Sequence, residues 1–251
     1  MDRFPAEFED LLNRRGRRAL ADAPRLESLI ARKQTPILFF DGVIDAGVAA
    51  ECVRLLDEAM YPVLRRMHIP IPREALTDMT ENYTEELRKT VRVKTATFNS
   101  PRSRSLAAAR EVGLDAMLSS PSFRRFAQAV TGPNLRDDHW GRQVICYETG
   151  DYSGPHNDHH PQRDVAKNGF IDFHVMFSND SVAHQLLIYE QRGFLTQARE
   201  VTGTPAIAVY RLPFWHYTTP LLARPGHEAT ARRWLLLGSF DYDPPLPKLA
   251  Y

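Results

Sequence analysis

Apolar residues change their rhythm along the chain. Through residues 1–134 they recur mostly at intervals that suit one face of a helix, and beyond that they gather in short runs parted by turn residues. Phe4 to Leu20 and Pro24 to Arg32 mix apolar and charged positions at helix-like spacing. Ile44 to Tyr61 sets Val48, Cys52, Leu55, Leu56 and Met60 along one helical stripe. Between them, Pro36-Ile-Leu-Phe-Phe-Asp41 is too short for a helix and rich in strand formers. Pro70, Pro72 and the polar stretch to Tyr83 predict a surface loop. The Val/Thr/Arg/Lys alternation from Thr90 to Phe98 predicts a half-exposed strand. Arg104 to Leu118 reads as a helix. Ser120 caps another that has Pro121 at its first position and stops at Thr131-Gly132-Pro133.

In the second half, Gln143–Tyr147, Phe170–Phe177, Gln185–Tyr189, Ala206–Arg211 and Trp234–Phe240 are short apolar runs. Asn179-Asp180, Gly193 and Gly203-Thr204-Pro205 supply turns between them. Strands at this spacing, without long helices between, predict an antiparallel sandwich or barrel. Helices first and strands afterwards give an α+β class: a double-stranded β-helix (jelly-roll) core with the N-terminal helices on its outer face. The expectation is one domain over residues 1–251, mainly helical over 1–134, with the jelly roll and its chemistry over 135–245.

A chain of 251 residues can bury a sizeable core without disulfides or a structural metal. Any metal is therefore expected to serve chemistry. A net charge of +1, from 32 basic and 31 acidic residues, gives no general pull towards nucleic acid or anionic membrane. The run Arg14, Arg15, Arg17, Arg18 reads as a solvated helix face. Cys52 and Cys146 are too few for a disulfide framework or a cysteine zinc site. Met1–Asp10 lacks the apolar run of a signal peptide, and no apolar stretch approaches the roughly 20 residues that span a bilayer. A soluble protein of the cytoplasm is the expectation.

The chemistry-bearing segment is Tyr147-Glu-Thr-Gly150-Asp-Tyr-Ser-Gly154-Pro-His156-Asn-Asp158. In extended chain, positions i and i+2 face the same way, so His156 and Asp158 can present an imidazole and a carboxylate to one point. A further imidazole would complete a 2-His-1-carboxylate face, which leaves coordination positions open and suits Fe(II). His216, just beyond the apolar run that ends at Leu212, is the candidate. An arginine then opens the next strand, Arg232-Arg233-Trp234, where a guanidinium can grip a dicarboxylate bidentately. Asp158 and His160 share the same i, i+2 spacing and form a rival pair. His174 lies in an apolar run and can face either side of its strand. His184 and His227 read as loop residues, and Asp137-Asp138-His139 as a polar turn. Gly150-Asp-Tyr-Ser153-Gly154 does not have the spacing of a serine-hydrolase elbow.

The order Tyr147-x-x-Gly150, His156-x-Asp158, His216, Arg233 resembles the prolyl-4-hydroxylase-like branch of the Fe(II)/2-oxoglutarate oxygenases. Pro36–Asp45 leading into the helix of Cys52, and Ser120–Phe126 leading into Thr131-Gly132, extend the resemblance to roughly residues 36–242. It implies iron on His156, Asp158 and His216. It further implies the distal carboxylate of 2-oxoglutarate on Arg233, with Tyr147 as a hydrogen-bond donor from a facing strand. A one-residue slip would put Arg232 in place of Arg233, so both stay candidates, Arg233 favoured. A carboxylate at 158, rather than a small residue, implies hydroxylation, or another oxygen-rebound or desaturation outcome, rather than halogenation. The expected partners are O2 and a small-molecule or amino-acid-like substrate, with release of succinate and CO2. A cupin-type metalloenzyme without 2-oxoglutarate and a non-catalytic binding module are the alternatives.

Overall fold

The computed structural model describes residues 2–22, 35–71, 89–132, 135–158, 170–191 and 194–242, and no side chains at 136–140 or 242. After a 3-10 turn at Phe8–Leu11, helix α1 (Arg14–Ala21) starts at Asn13, whose side chain accepts from the backbone of Arg15 and Gly16. The helix expected over Phe4–Leu20 is thus divided by that cap. The one expected at Pro24–Arg32 lies outside the described residues, as does most of the loop expected from Pro70 to Tyr83. Strand β1 (Ile37–Asp41) leads to α2 (Ala46–Leu55), capped by Asp45 and continued by a π turn at Leu56–Met60. Strand β2 (Arg65–Pro70) was not foreseen; it is short, polar and exposed, as edge strands often are.

Strand β3 (Thr90–Thr97) follows as expected. The helix expected over 104–118 is two, α3 (Arg104–Glu111) and α4 (Leu114–Leu118), because Gly113 takes φ 80° between them. Helix α5 (Pro121–Thr131) begins as read: Ser120 Oγ accepts from Phe123 N.

The remaining strands are β4 (Leu135–Tyr147), β5 (Tyr152–Ser153), β6 (Phe170–Ser178), β7 (Val182–His184) and β8 (Leu186–Gln191). They continue with β9 (Phe194–Glu200), β10 (Ala206–Leu212), β11 (His216–Thr218), β12 (Leu222–Ala223) and β13 (Arg233–Tyr242). The backbone at Asp137-Asp138-His139 is therefore strand, not turn. One antiparallel sheet runs β1-β10-β6-β13-β4-β3-β2, with β5 added on β3. A second layer runs β11-β8-β9, beside a small β12-β7 pair. The chain passes back and forth between these layers, which makes the curled sheet a jelly roll.

Alternation along the central strands separates two interiors. Outward positions of the large sheet, including Phe173, Val175, Val209, Leu236 and Phe240, pack beneath the helices with Phe8, Leu56, Phe123 and Phe126. Phe123 meets Phe173 and Phe240 at ring-centroid distances of 5.8 and 5.7 Å. Inward positions, among them Met176, Ala208, Tyr210, Leu235 and Leu237, face the second layer together with Leu187 and Phe214. Each fully buried large apolar side chain contributes roughly 1.5–3 kcal/mol, so the outer core anchors the sheet whose inner face bears candidate site residues. Cys52 and Cys146 are both buried, and burial pushes the Cys52 thiol up to about 12. No helix among the described residues is long and apolar enough to cross a membrane.

Candidate metal centre

Strand β4 ends at Tyr147 and the chain turns through Gly150, whose φ of 78° favours glycine. The fully buried Asp151 carboxylate fixes this turn. It accepts from Glu148 N at 3.0 Å, from both terminal nitrogens of Arg66 at 2.7 Å, and pairs with Arg92 Nε at 3.1 Å. Burial pushes the Asp151 carboxyl up, and the backbone bond and the two guanidiniums hold it down. Beyond the turn, β5 pairs with β3, Gly154 N donates to Thr90 O, and Ser153 N donates to Thr218 Oγ1. His156 and His216 then exchange backbone hydrogen bonds of 3.0 and 2.9 Å, which brings their rings to 4.3 Å.

Asp158 joins them by a route that the alternation argument did not contain. Its φ is +53°, so the chain has left the extended region there, and it is the only described non-glycine residue with positive φ. Its two oxygens lie 3.4 Å from His156 Nε2 and 3.4 Å from His216 Nε2. One ligand atom from each of the three residues falls within 4.8 Å of the others.

The other nitrogen of each ring is committed to the backbone. His156 Nδ1 lies 2.7 Å from Gly154 O and His216 Nδ1 lies 3.0 Å from Phe214 O. A proton on each Nδ1 leaves each Nε2 lone pair facing the carboxylate. Burial lowers the proton affinity of His156, Asp158 opposes this, and His216 adds to it. In that tautomer two imidazole lone pairs and a carboxylate converge on one point, an arrangement that a cation placed among them satisfies. The donor set therefore fits a divalent metal, and two nitrogens with one carboxylate on one side suit Fe(II). His159 and His160, and with them the rival pair, lie outside the described residues.

Arg233 and Tyr147 are opposite one another on neighbouring strands of the same sheet, both facing inward. Arg233 is 3% exposed. Its Nε donates to Val201 O at 3.0 Å, its Nη1 donates to Gln185 Oε1 at 3.1 Å, and the guanidinium lies 5.0 Å from the centre of the Tyr147 ring. Burial pulls the proton affinity of Arg233 down and that of the Tyr147 hydroxyl up. Among the described residues no carboxylate lies within ion-pair distance of Arg233. Arg232, one residue earlier, points to the helix side, where its guanidinium lies 3.9 Å over the Tyr61 ring and 3.5 Å from Asp57. Strand alternation thus removes Arg232 from the candidate site.

His174 faces inward, its ring 4.0 Å from that of Tyr210. Tyr210, Thr218, Asp151 and Gln185 were missed in the sequence. Asp151 stood beside Gly150 in the informative segment, whereas single residues such as Gln185 and Thr218 carry no signal. His184 pairs with Glu200, and His227 is exposed.

Comparison with protein-family models and with curated proteins finds no match. Solved structures do match. The chain superposes on an oxidoreductase of the 2OG-Fe(II) oxygenase family from Burkholderia pseudomallei with TM-score 0.54 and 10% identity, covering 87% of this chain and 90% of that one. For prolyl 4-hydroxylases from Phytophthora capsici the TM-score is 0.52 at 12% identity, covering 98% and 72%. For a prolyl hydroxylase from Trichoplax adhaerens, solved with a hypoxia inducible factor peptide, it is 0.50 at 12%, covering 90% and 91%. At such identities the shared property is the fold. It is that of the 2OG-Fe(II) oxygenases, prolyl hydroxylases included, in agreement with the resemblance read from the sequence.

Proposed function

We propose that this protein is an Fe(II)- and 2-oxoglutarate-dependent oxygenase that hydroxylates a small-molecule substrate. The observation that carries the reading is the union, in one interior, of a His156/Asp158/His216 triad and a buried guanidinium that has no carboxylate partner among the described residues. A buried cation left without an anion is costly, and a dicarboxylate co-substrate is the natural counter-charge. A cupin-type enzyme without 2-oxoglutarate has no use for such a residue.

In this reading His156 Nε2, His216 Nε2 and the Asp158 carboxylate hold the iron. The carbonyls of Gly154 and Phe214 keep both rings in the ligating tautomer. Arg233 binds the distal carboxylate of 2-oxoglutarate, and Gln185 and Val201 fix the guanidinium from behind. Tyr147 shields that pair from water and offers its hydroxyl to it. When bound, iron and 2-oxoglutarate supply the oxidising power, consuming O2 and yielding succinate, CO2 and an oxygenated substrate.

The test is an anaerobic titration with Fe(II) and 2-oxoglutarate, watching for the weak visible charge-transfer band of the chelate, followed by substrate-triggered succinate release in air. A band that requires both components is expected. Iron binding with no 2-oxoglutarate-dependent band would contradict the reading.

A further inference from the structure

The inner face of the large sheet holds a second polar group that the metal reading does not use. Inward positions of β6 run Phe170, Asp172, His174, Met176, and Asp172 stands opposite Ser239 of β13 and Tyr210 of β10. The Ser239 hydroxyl donates to Asp172 Oδ1. His174 Nε2 lies 3.4 Å from Asp172 Oδ2, and its ring rests on Tyr210. Tyr210 in turn meets the His216 ring at 5.3 Å, so the cluster adjoins the triad. Asp172, His174 and Ser239 are only 7%, 7% and 5% exposed.

The two ends of this interior differ in charge. Arg233 and Ser239 both face inward on β13, six positions apart (239 − 233), which is roughly 20 Å of extended strand. One end therefore carries a guanidinium and the other a carboxylate. A buried carboxylate needs charge or strong hydrogen bonds around it. Asp172 has one neutral hydroxyl and an imidazole at the long edge of hydrogen-bond range, and among the described residues no Lys or Arg lies within ion-pair distance of it. Oδ2 keeps capacity for a strong donor, and Ser239 and His174 hold the carboxylate in place from the strand framework. A cation entering beside the triad would complete the group, whereas an anion would be repelled.

We infer, on the basis of the oxygenase reading, that Asp172 is the specificity-determining residue and that it selects a small molecule carrying a protonated amine. Ser239 is the positioning residue that fixes its carboxylate.

The test uses the full chain loaded anaerobically with Fe(II) and 2-oxoglutarate. Free amino acids, polyamines and amine-bearing ring compounds are titrated in, each beside its N-acetylated counterpart, and the displacement of the chelate band reports entry. At least one amine should half-saturate at a concentration tenfold or more below that of its acetylated counterpart. Asp172→Asn, which keeps the shape and an acceptor for Ser239, should erase that preference. Ser239→Ala should reduce the preference three- to tenfold when read at a temperature where the variant is fully folded, a selectivity effect that a merely structural role would not produce. A panel in which no amine outperforms its acetylated counterpart, or an Asp172→Asn variant that keeps the preference, overturns the inference. If Asp172→Asn does not fold, the comparison on the unmodified chain decides alone. Absence of the chelate band in the unmodified chain is a different failure, that of the oxygenase reading itself.

Discussion

Replacing Arg233 by Met separates what the guanidinium does for folding from what it does for binding. The side chain is 3% exposed and donates to two neutral oxygens, Val201 O and Gln185 Oε1, with a longer contact from Nη2 to Met176 Sδ at 3.5 Å. Removing it leaves those acceptors bare, at about 1–3 kcal/mol each. It also relieves the burial of an unpaired cation, a penalty of several kcal/mol. The two terms oppose each other, so the melting temperature of the metal-free protein should move by only a few degrees. With 2-oxoglutarate present the balance changes. Removing one partner of a buried ion pair costs roughly 3–5 kcal/mol, or about 100- to 4,000-fold in Kd. Arg232→Met is the control of equal size, because that residue serves Tyr61 and Asp57 on the far side of the sheet. The assay is the anaerobic chelate-band titration with 2-oxoglutarate at saturating Fe(II). Arg233→Met should lose at least two orders of magnitude in affinity, and Arg232→Met less than threefold. Equal losses in both variants, or no loss in Arg233→Met, would refute the assignment.

Three further outcomes are expected. Asp158→Gly should cut Mn(II) affinity measured calorimetrically by more than about 100-fold, since even residues behind the ligands are worth 10–100-fold. Its metal-free melting temperature should change little, because glycine accepts the φ of 53° freely; affinity within tenfold of the parent would contradict the triad. For pH, burial weakens proton binding by folded His156 relative to the unfolded chain, whose histidine titrates near 6.5. The unfolded state then holds more protons below that pH, so metal-free stability should fall as the pH drops, by up to about 1.4 kcal/mol per unit. Urea unfolding with chelator present, from about pH 7.5 to 5.5, should show a shallower decline in His156→Asn; an unchanged slope would contradict the argument. Finally, a Cβ on Gly238 would lie 2.5 Å from a Phe123 ring carbon. Gly238→Ala should therefore cost about 1–3 kcal/mol by overpacking while sparing metal binding, and an unchanged melting temperature would show that the outer core yields more readily than described.

Much of the architecture could be read from the residues because local signals and burial agree there. Ser120 before Pro121, the apolar burst at Ile37–Asp41 and the stripe from Val48 to Met60 each specify one element, and the structure contains all of them. Strands β5, β7, β11 and β12 have two or three residues each and are too short to show a period. Strand β9 does alternate in burial, but its polar residues Thr196, Gln197, Arg199 and Glu200 hide it. At Gly113 the sequence alone does not separate a glycine tolerated within a helix from the break that its left-handed φ makes.

The site was legible in its residue types more than in its geometry. Register at Arg232-Arg233 could not be read because β13 is buried on both faces: Leu235 and Leu237 inward, Trp234 and Leu236 outward. With apolar residues on both sides, no polarity marks the inner one. The convergence of residue 158 depends on a left-handed turn rather than on strand alternation, and the His156–His216 pairing comes from a bridge between distant segments. Asp172 was passed over although it sits two positions before His174, a spacing that puts both on one face of β6. Its partner Ser239 lies 67 residues away, a distance no local pattern spans.

The central claim is that three side chains share one cation and that the guanidinium at 233 receives the co-substrate. A crystal structure of the protein soaked anaerobically with Fe(II) and 2-oxoglutarate tests it most directly. The expected density shows metal bonded to His156 Nε2, the Asp158 carboxylate and His216 Nε2, with the far carboxylate of 2-oxoglutarate on Arg233. Metal bound elsewhere, or 2-oxoglutarate held without Arg233, would contradict it.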